Sequence, residues 1–215
     1  MEAPRRSRVV IADDHRLVAE MCRSFIDPEF EVVGIAHDGR SLVRLAIEQK
    51  PQAIIADIAM PLLNGLDAGE QIKQTIPDVK IVYLTMNMSA EIAAEAFRRG
   101  ASGYLPKSTA AAELITALRT VLRGEFYLSP VITRDTVQLL LHRDKARSDE
   151  PRITMRQREV LQLLAEGMSM KEVAYTLKLK PGTVAFHKYR IMSTLGLKNN
   201  AELLQYAIRQ HLIAA

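Results

Sequence analysis

The sequence predicts an α/β domain with a five-stranded, parallel, doubly wound sheet, followed by an all-α domain of four helices around a helix-turn-helix. Three observations carry this expectation. Short runs rich in Val and Ile alternate with helix-like segments from residue 8 to residue 123. From residue 154 onward the strand signals vanish and helical periodicity takes over. Between them lies a polar, mixed-charge stretch with a proline, "HRDKARSDEPR". Regular β–α alternation calls for a parallel sheet covered by helices on both faces, and a change of pattern after a polar stretch marks a second folding unit.

The elements are read in order as follows. Strand signals lie at "RVVIAD" (8–13), "FEVVGIA" (30–36), "AIIAD" (53–57), "KIVYLT" (80–85) and "SGYLP" (102–106). Helix signals fill 15–26, 39–49, 65–75, 89–99 and 109–123. A short amphipathic helix is expected over about 130–142, and the polar stretch after it is expected to keep the two halves partly independent. The expected organisation is therefore residues 1–123, a connecting segment 124–150 with its short helix, and a second domain 151–215. In the second domain Thr154 and Gln157 have capping-box spacing, Ser169 is a second cap, Pro181 opens the third helix, and Gly167 and Gly196 end helices.

Composition narrows the function classes. The 48% hydrophobic content supports real cores. A single cysteine, Cys22, excludes an intrachain disulfide framework or Cys-based zinc site and suits a reducing cytoplasm. No apolar stretch approaches membrane-span length and no secretory leader is evident, so a soluble cytoplasmic protein is expected. Charge is uneven. The chain carries +4 overall, but residues 151–215 hold 10 Lys+Arg against 4 Asp+Glu, while residues 1–123 are nearly neutral. A basic C-terminal domain points to a nucleic-acid partner.

The strand ends are where chemistry gathers. In parallel α/β sheets the binding crevice lies beyond the carboxyl ends of the strands. The first strand ends at Asp13 and Asp14, the third at Asp57, the fourth at Thr85, and the fifth runs into Lys107. Singly, the acid pair would serve as a helix cap, Thr85 as a strand-end residue and Lys107 as a solvated charge. Together at one sheet edge they suit a hard divalent cation such as Mg²⁺, held by Asp14, Asp57 and a backbone carbonyl just after Asp57, with Asp13 orienting water. Asp57, alone on the central strand, is then a candidate nucleophile for a phosphoryl group, with Lys107 and Thr85 stabilising its charge. Glycine-lysine phosphate loops, HExxH and nucleophile-elbow motifs are absent from the sequence.

In the second domain, residues 182–194 read as a recognition helix. At 100° per residue Val184, His187, Ile191 and Leu195 share a core face. Gly182, Phe186, Tyr189 and Ser193, flanked by Ala185 and Arg190, form the opposite face, which would enter a DNA major groove. Arg190, Lys188 and Lys171 are the candidates for phosphate contacts. In the last helix, Leu203, Leu204, Ala207 and Ile208 are expected to divide between core packing and a dimer face.

"IADDH", "ADIAMPLLNGLD", "YLTM" and "GASGYLPKS" resemble, in order and spacing, the motifs of the receiver domain of two-component response regulators. The C-terminal part resembles the LuxR-type helix-turn-helix, so nearly the whole chain is similar to the NarL/FixJ class. The resemblance implies that Asp57 accepts phosphate from a sensor histidine kinase, that Asp13, Asp14 and Asp57 hold Mg²⁺, and that Lys107 and Thr85 sense the phosphoryl group. It also implies that Tyr104 is an aromatic switch that swings inward when Thr85 moves. It places DNA contacts at Thr183, Ala185, Phe186, Tyr189 and Arg190, although relatives commonly carry a basic residue where Ala185 stands. Asn64 occupies a loop position often held by Asp, a mild change by expectation.

These features imply a bacterial transcription regulator that acts as a homodimer on paired DNA half-sites, with RNA polymerase as a possible further partner. It would not be an enzyme beyond catalysing its own phosphorylation. The alternative is a phosphate-independent DNA-binding protein whose receiver only dimerises or binds partners. A stand-alone phosphotransfer protein is a third reading, and it leaves the basic domain without a role.

Overall fold

Residues 6–86, 88–142 and 153–213 are described in a computed structural model of the protein. The N-terminal part runs β1 (Arg8–Ala12), α1 (Arg16–Ile26), β2 (Glu31–Ala36), α2 (Gly39–Gln49), β3 (Ala53–Asp57), α3 (Gly65–Thr75), β4 (Lys80–Thr85), α4 (Ala90–Arg98), β5 (Gly103–Pro106), a 3-10 turn Lys107–Thr109 and α5 (Ala110–Leu122). Period-2 alternation along the inner strands builds two cores. Val10, Ala12, Ile54 and Ala56 face α2, α3 and α4. Val9, Ile11, Ala53 and Ile55 face α1 and α5. Every residue of β3 is buried, so Asp57 ends a strand with no solvent-facing side.

The sheet is six-stranded rather than five-stranded, in the order β2-β1-β3-β4-β5-β6, all parallel. The additional strand β6 is only Tyr127–Leu128, paired with Gly103 and Tyr104 of β5. Two residues give no period to detect, so the strand arises from tertiary pairing rather than a sequence signal. Beyond it, Ile132 enters the receiver core and α6 (Thr133–His142) packs against α4. The Phe97 and Phe126 rings meet edge to face with centroids 6.0 Å apart. Residues 143–150 of the expected connecting segment, with 151 and 152, lie outside the described residues.

The C-terminal part contains α7 (Met155–Ala165), α8 (Met170–Leu177), α9 (Pro181–Leu195) and α10 (Asn200–Arg209). Both caps form as full capping boxes, Thr154 with Gln157 and Ser169 with Glu172. Pro181 sits at the start of α9, and Gly196 takes the left-handed conformation that ends it. Val160, Leu161, Val173, Val184, Ile191, Leu203 and Ala207 make the core. Leu204 is exposed on α10, whereas Leu203 and Ala207 point inward.

The two halves are in contact. Leu62, in the loop after β3, packs against the C-terminal core. Arg40 of α2 pairs with Glu159 of α7 at 3.1 Å, and Asp67 of α3 pairs with Arg158 of α7 at 3.1 Å. The polar stripe of α7 is thus buried against the first domain rather than left in water.

Candidate functional site

The strand ends bring the predicted residues together as the topology requires. Asp13, Asp14, His15 and Asp57 each offer a ligand atom, all within 4.8 Å of one another. Asp13 and Asp57 are almost fully buried, at 2% and 4% exposure, while Asp14 faces solvent. Lys107 reaches in from the 3-10 turn after β5. Its Nζ lies 2.7 Å from Asp13 Oδ2 and 2.8 Å from Asp57 Oδ2. The Ala59 N–H reaches Asp57 Oδ1 at 3.3 Å, the His15 N–H donates to Asp13 Oδ1 at 2.9 Å, and His15 Nδ1 lies 2.8 Å from Asp14 Oδ1.

Two buried carboxylates share one ammonium, which leaves a net negative charge out of water. Burial, with Asp13 adding to it, pushes the Asp57 carboxyl above its ordinary value despite the opposing pull of Lys107. For Lys107 burial acts downward, but its hydrogen bonds and attraction to Asp13 and Asp57 outweigh burial and raise it, so it stays protonated. The donor set is all hard oxygen apart from His15, and its uncompensated negative charge suits a divalent cation. These residues therefore fit Mg²⁺.

Thr85 ends β4 and is buried, with its side chain bonded to Tyr104. Tyr104 is the residue expected to swing inward when Thr85 moves. The ring is already inward and wholly buried, and burial pushes its hydroxyl pKa upward. Along the backbone, Leu128 pairs with Tyr104, and the Ser129 N–H donates to its carbonyl at 3.0 Å, so β5 is not an open edge.

The loop from Ile58 to Asn64 leaves Asp57 and is held on several sides. Gly65 follows it, where a Cβ would overlap the Asp57 carbonyl, and a Cβ on Gly39 would overlap the Leu63 carbonyl. Asn64 caps α3, accepting from the Asp67 N–H at 3.0 Å, and its Nδ2 donates to Asp67 Oδ2 at 2.7 Å. An Asp at this position would lack that donor, so Asn64 suits its buried acidic neighbour.

On the C-terminal domain, α9 turns the predicted face outward. Phe186 and Tyr189 are 63% and 65% exposed. Gly182, Arg190 and Ser193 are exposed beside them, and Thr183, Ala185 and Lys188 are half-buried. Val184 and Ile191 are buried, while His187 and Leu195 are half-buried on the core side. Lys171 is exposed at the start of α8.

Sequence reasoning missed the polar residues of α7 and of its C-cap, Glu166. Glu159, Gln162 and Glu166 recur at helical spacing, and Gln162 is fully buried. Such a stripe reads as a solvated helix face, and only its burial against the first domain distinguishes it. Gln162 Oε1 accepts from the Asn64 N–H at 2.8 Å, its Nε2 donates to the Met60 carbonyl at 3.0 Å, and the Leu62 N–H donates to Glu166 at 3.0 Å.

Comparison with known proteins decides the family. The model of the response regulator receiver domain matches residues 9–119, and that of the bacterial regulatory proteins of the luxR family matches residues 151–207. The chain belongs to the response regulators. The oxygen regulatory protein NreC of Staphylococcus carnosus is 36% identical over 215 residues, covering 96% of this chain and 99% of the relative. A LuxR-family response regulator from Aurantimonas sp. SI85-9A1 is 33% identical with a TM-score of 0.60, over 63% of this chain and 99% of that one. RcsB of Salmonella enterica serovar Typhimurium, solved bound to the rprA promoter in the presence of the phosphomimetic BeF3⁻, is 27% identical with a TM-score of 0.59, over 93% and 98%. This response regulator is therefore a two-component protein with a receiver and a LuxR-type helix-turn-helix DNA-binding domain, a transcription regulator rather than a metabolic enzyme. Receiver domains normally bind Mg²⁺ at an acidic pocket, and this one has the aspartate cluster. Among the described residues no helix is long and apolar enough to cross a membrane.

Proposed function

We propose that the protein is a phosphorylation-controlled regulator of promoter binding, with Asp57 as the phosphoacceptor. The observation that carries this reading is the Lys107 ammonium shared by Asp13 and Asp57 at the closed end of the sheet. In the proposed reaction an Asp57 carboxylate oxygen bonds to phosphorus as the P–N bond of a kinase phosphohistidine breaks, the bonding pair staying on the imidazole. Lys107 transfers one of its ion pairs to the incoming phosphoryl oxygens, and the Thr85 hydroxyl donates to another. Mg²⁺ bound by Asp13, Asp14 and Asp57 would supply positive charge to the same oxygens. The Thr85–Tyr104 bond would be the element that registers the change.

Thr183, Ala185, Phe186 and Tyr189 are the proposed base-reading residues, with thymine methyls as apolar targets for Ala185 and Phe186. Lys171, Lys188 and Arg190 are proposed to hold phosphates. The proposed partners are a sensor histidine kinase, promoter DNA with paired half-sites and, through Leu204 of α10, a second copy of the chain. RNA polymerase is a further partner in this reading, and the cytoplasm is the compartment. The promoter-bound RcsB structure supports both halves of the assignment by similarity.

One observation favours a second reading. The α9 face is exposed while the domains are docked, so DNA contact does not require their release. The receiver would then serve as a dimerisation or partner-binding module. Selection from a DNA library, with and without beryllofluoride and Mg²⁺, on wild type and Asp57→Asn tests the two. Enrichment of a paired motif only in activated wild type is expected. Equal enrichment in every sample selects the phosphate-independent reading.

A further inference from the structure

The outer face of α9 is apolar at its centre and charged at its rim. The helix, "PGTVAFHKYRIMSTL", holds Lys188 and Arg190 and no acidic residue. Phe186 is 63% exposed, and Tyr189, one turn on, is 65% exposed. Two adjacent rings bordered by cations have the pattern of a surface that another molecule buries. The sign of the rim suits the phosphates on either side of a DNA groove. Gly182, one turn before Phe186, has open space where a Cβ would stand. Packing within the protein does not require glycine there, and its missing side chain lets the start of α9 come closer to a base edge.

Phe186 is braced from behind. Its ring meets that of His187 edge to face, with centroids 5.8 Å apart and planes at 66°. His187 is half-buried on the core side of the helix, with its Nδ1 shut away from water. Ala185, half-buried beside Phe186, adds a methyl group and nothing polar. Neither Phe186 nor Ala185 gives or takes a side-chain hydrogen bond. A polar base edge covered by them would lose its bonds to water without replacement, which is costly. The apolar group that a base pair offers in the major groove is a methyl on C5 of a pyrimidine.

We propose that α9 reads this C5-methyl group through Phe186, with Ala185 beside it, and that 5-methylcytosine is therefore a ligand equivalent to thymine at that position. This rests on the reading of α9 as the base-reading helix. The two bases carry the same methyl on the same carbon and differ in the neighbouring polar group, O4 in thymine and the N4 amine in cytosine. The hydroxyls of Thr183 and Tyr189 both donate and accept, so they suit either base. Unmethylated cytosine leaves Phe186 over an empty space. Methylation of that cytosine raises affinity, which makes the modification state of the DNA an input separate from Asp57.

The test uses the full chain, with and without beryllofluoride and Mg²⁺. A duplex enriched from a random library is resynthesised with each thymine replaced in turn by deoxyuridine, cytosine or 5-methylcytosine, and affinities are read by fluorescence anisotropy. At one thymine of each half-site, deoxyuridine is expected to weaken binding about fourfold, the value of one buried methyl. Cytosine should weaken it at least as much, and 5-methylcytosine should recover most of that loss. Phe186→Ala removes no core contact and should bind the thymine and deoxyuridine duplexes alike, whereas Phe186→Leu, still apolar, should keep part of the difference. Equal affinity of wild type for thymine and deoxyuridine duplexes overturns the proposal while leaving α9 as the reader. A methyl preference that survives in Phe186→Ala also overturns it, because the contact then lies elsewhere. A library from which no duplex is enriched in either condition overturns α9 as a base reader and the proposal with it.

Discussion

At the Asp57 pocket one ammonium lies within 2.8 Å of two carboxylates, all nearly excluded from water, whereas α9 leaves Phe186, Tyr189 and Arg190 in open contact with it. The difference suits the two tasks proposed for these sites. Covalent exchange of a phosphoryl group needs charges fixed in place before the reaction, and a site withdrawn from water makes each of them count for more. Reading a duplex needs groups that stay solvated until DNA replaces the water, with specificity drawn from shape, methyl contacts and hydrogen bonds. Substitutions should accordingly act as near-total losses in the pocket and as graded losses on α9.

The largest effect is expected at the nucleophile. Asp57→Asn should abolish labelling by acetyl phosphate, and full labelling at another residue would show the pocket to be misassigned. Lys107→Ala should follow, slowing labelling by about 10²-fold, the cost of removing one preorganised donor from a developing charge. On α9 the changes should be smaller. Arg190→Ala is expected to weaken DNA binding about equally on all sequences and to reduce the salt slope by about 1, as removal of one phosphate contact does. A sequence-selective loss from Arg190→Ala would move it into the base-reading set.

The smallest effect is on stability and returns to the pocket. Because the folded-state Asp57 carboxyl is raised by burial, its ionisation works against folding. The penalty is absent below the unfolded-state value and develops as pH rises through the folded-state value. Asp57→Asn should therefore melt with wild type in acid and above it at neutral pH, by about 2–4 °C for each kcal/mol relieved. Mg²⁺ should close that gap by stabilising wild type alone. A variant less stable than wild type at neutral pH would mean that the ion pair with Lys107 outweighs burial.

The contrast also explains which parts could be read in advance. Strand ends were legible because Asp13, Asp57, Thr85 and Lys107 interrupt apolar runs where a buried charge needs a reason. The α9 faces were legible because helical periodicity separates Val184 and Ile191 from Phe186 and Tyr189. The contacts of Gln162 and Glu166 with the first domain were not. Gln162 and Glu166 have the composition of any solvated helix face, and their meaning comes from Leu62 and Asn64, about a hundred residues earlier in the chain. The sixth strand was not legible either, since two residues have no pattern of their own.

The sixth strand and α6 have a consequence for how strongly the domains must hold each other. Because the chain stays attached to the receiver as far as His142, only residues 143–152 separate α6 from the first described residue of the C-terminal domain, Ile153. Ten residues reach at most about 35 Å. A released DNA-binding domain therefore stays within a small volume around its docking site, at an effective concentration on the order of millimolar. A contact with only millimolar intrinsic affinity is enough to keep the domains about half closed, and about 1.4 kcal/mol either way shifts the balance tenfold. With so short a tether, a modest change in free energy decides between the two arrangements without having to overcome a strong interface.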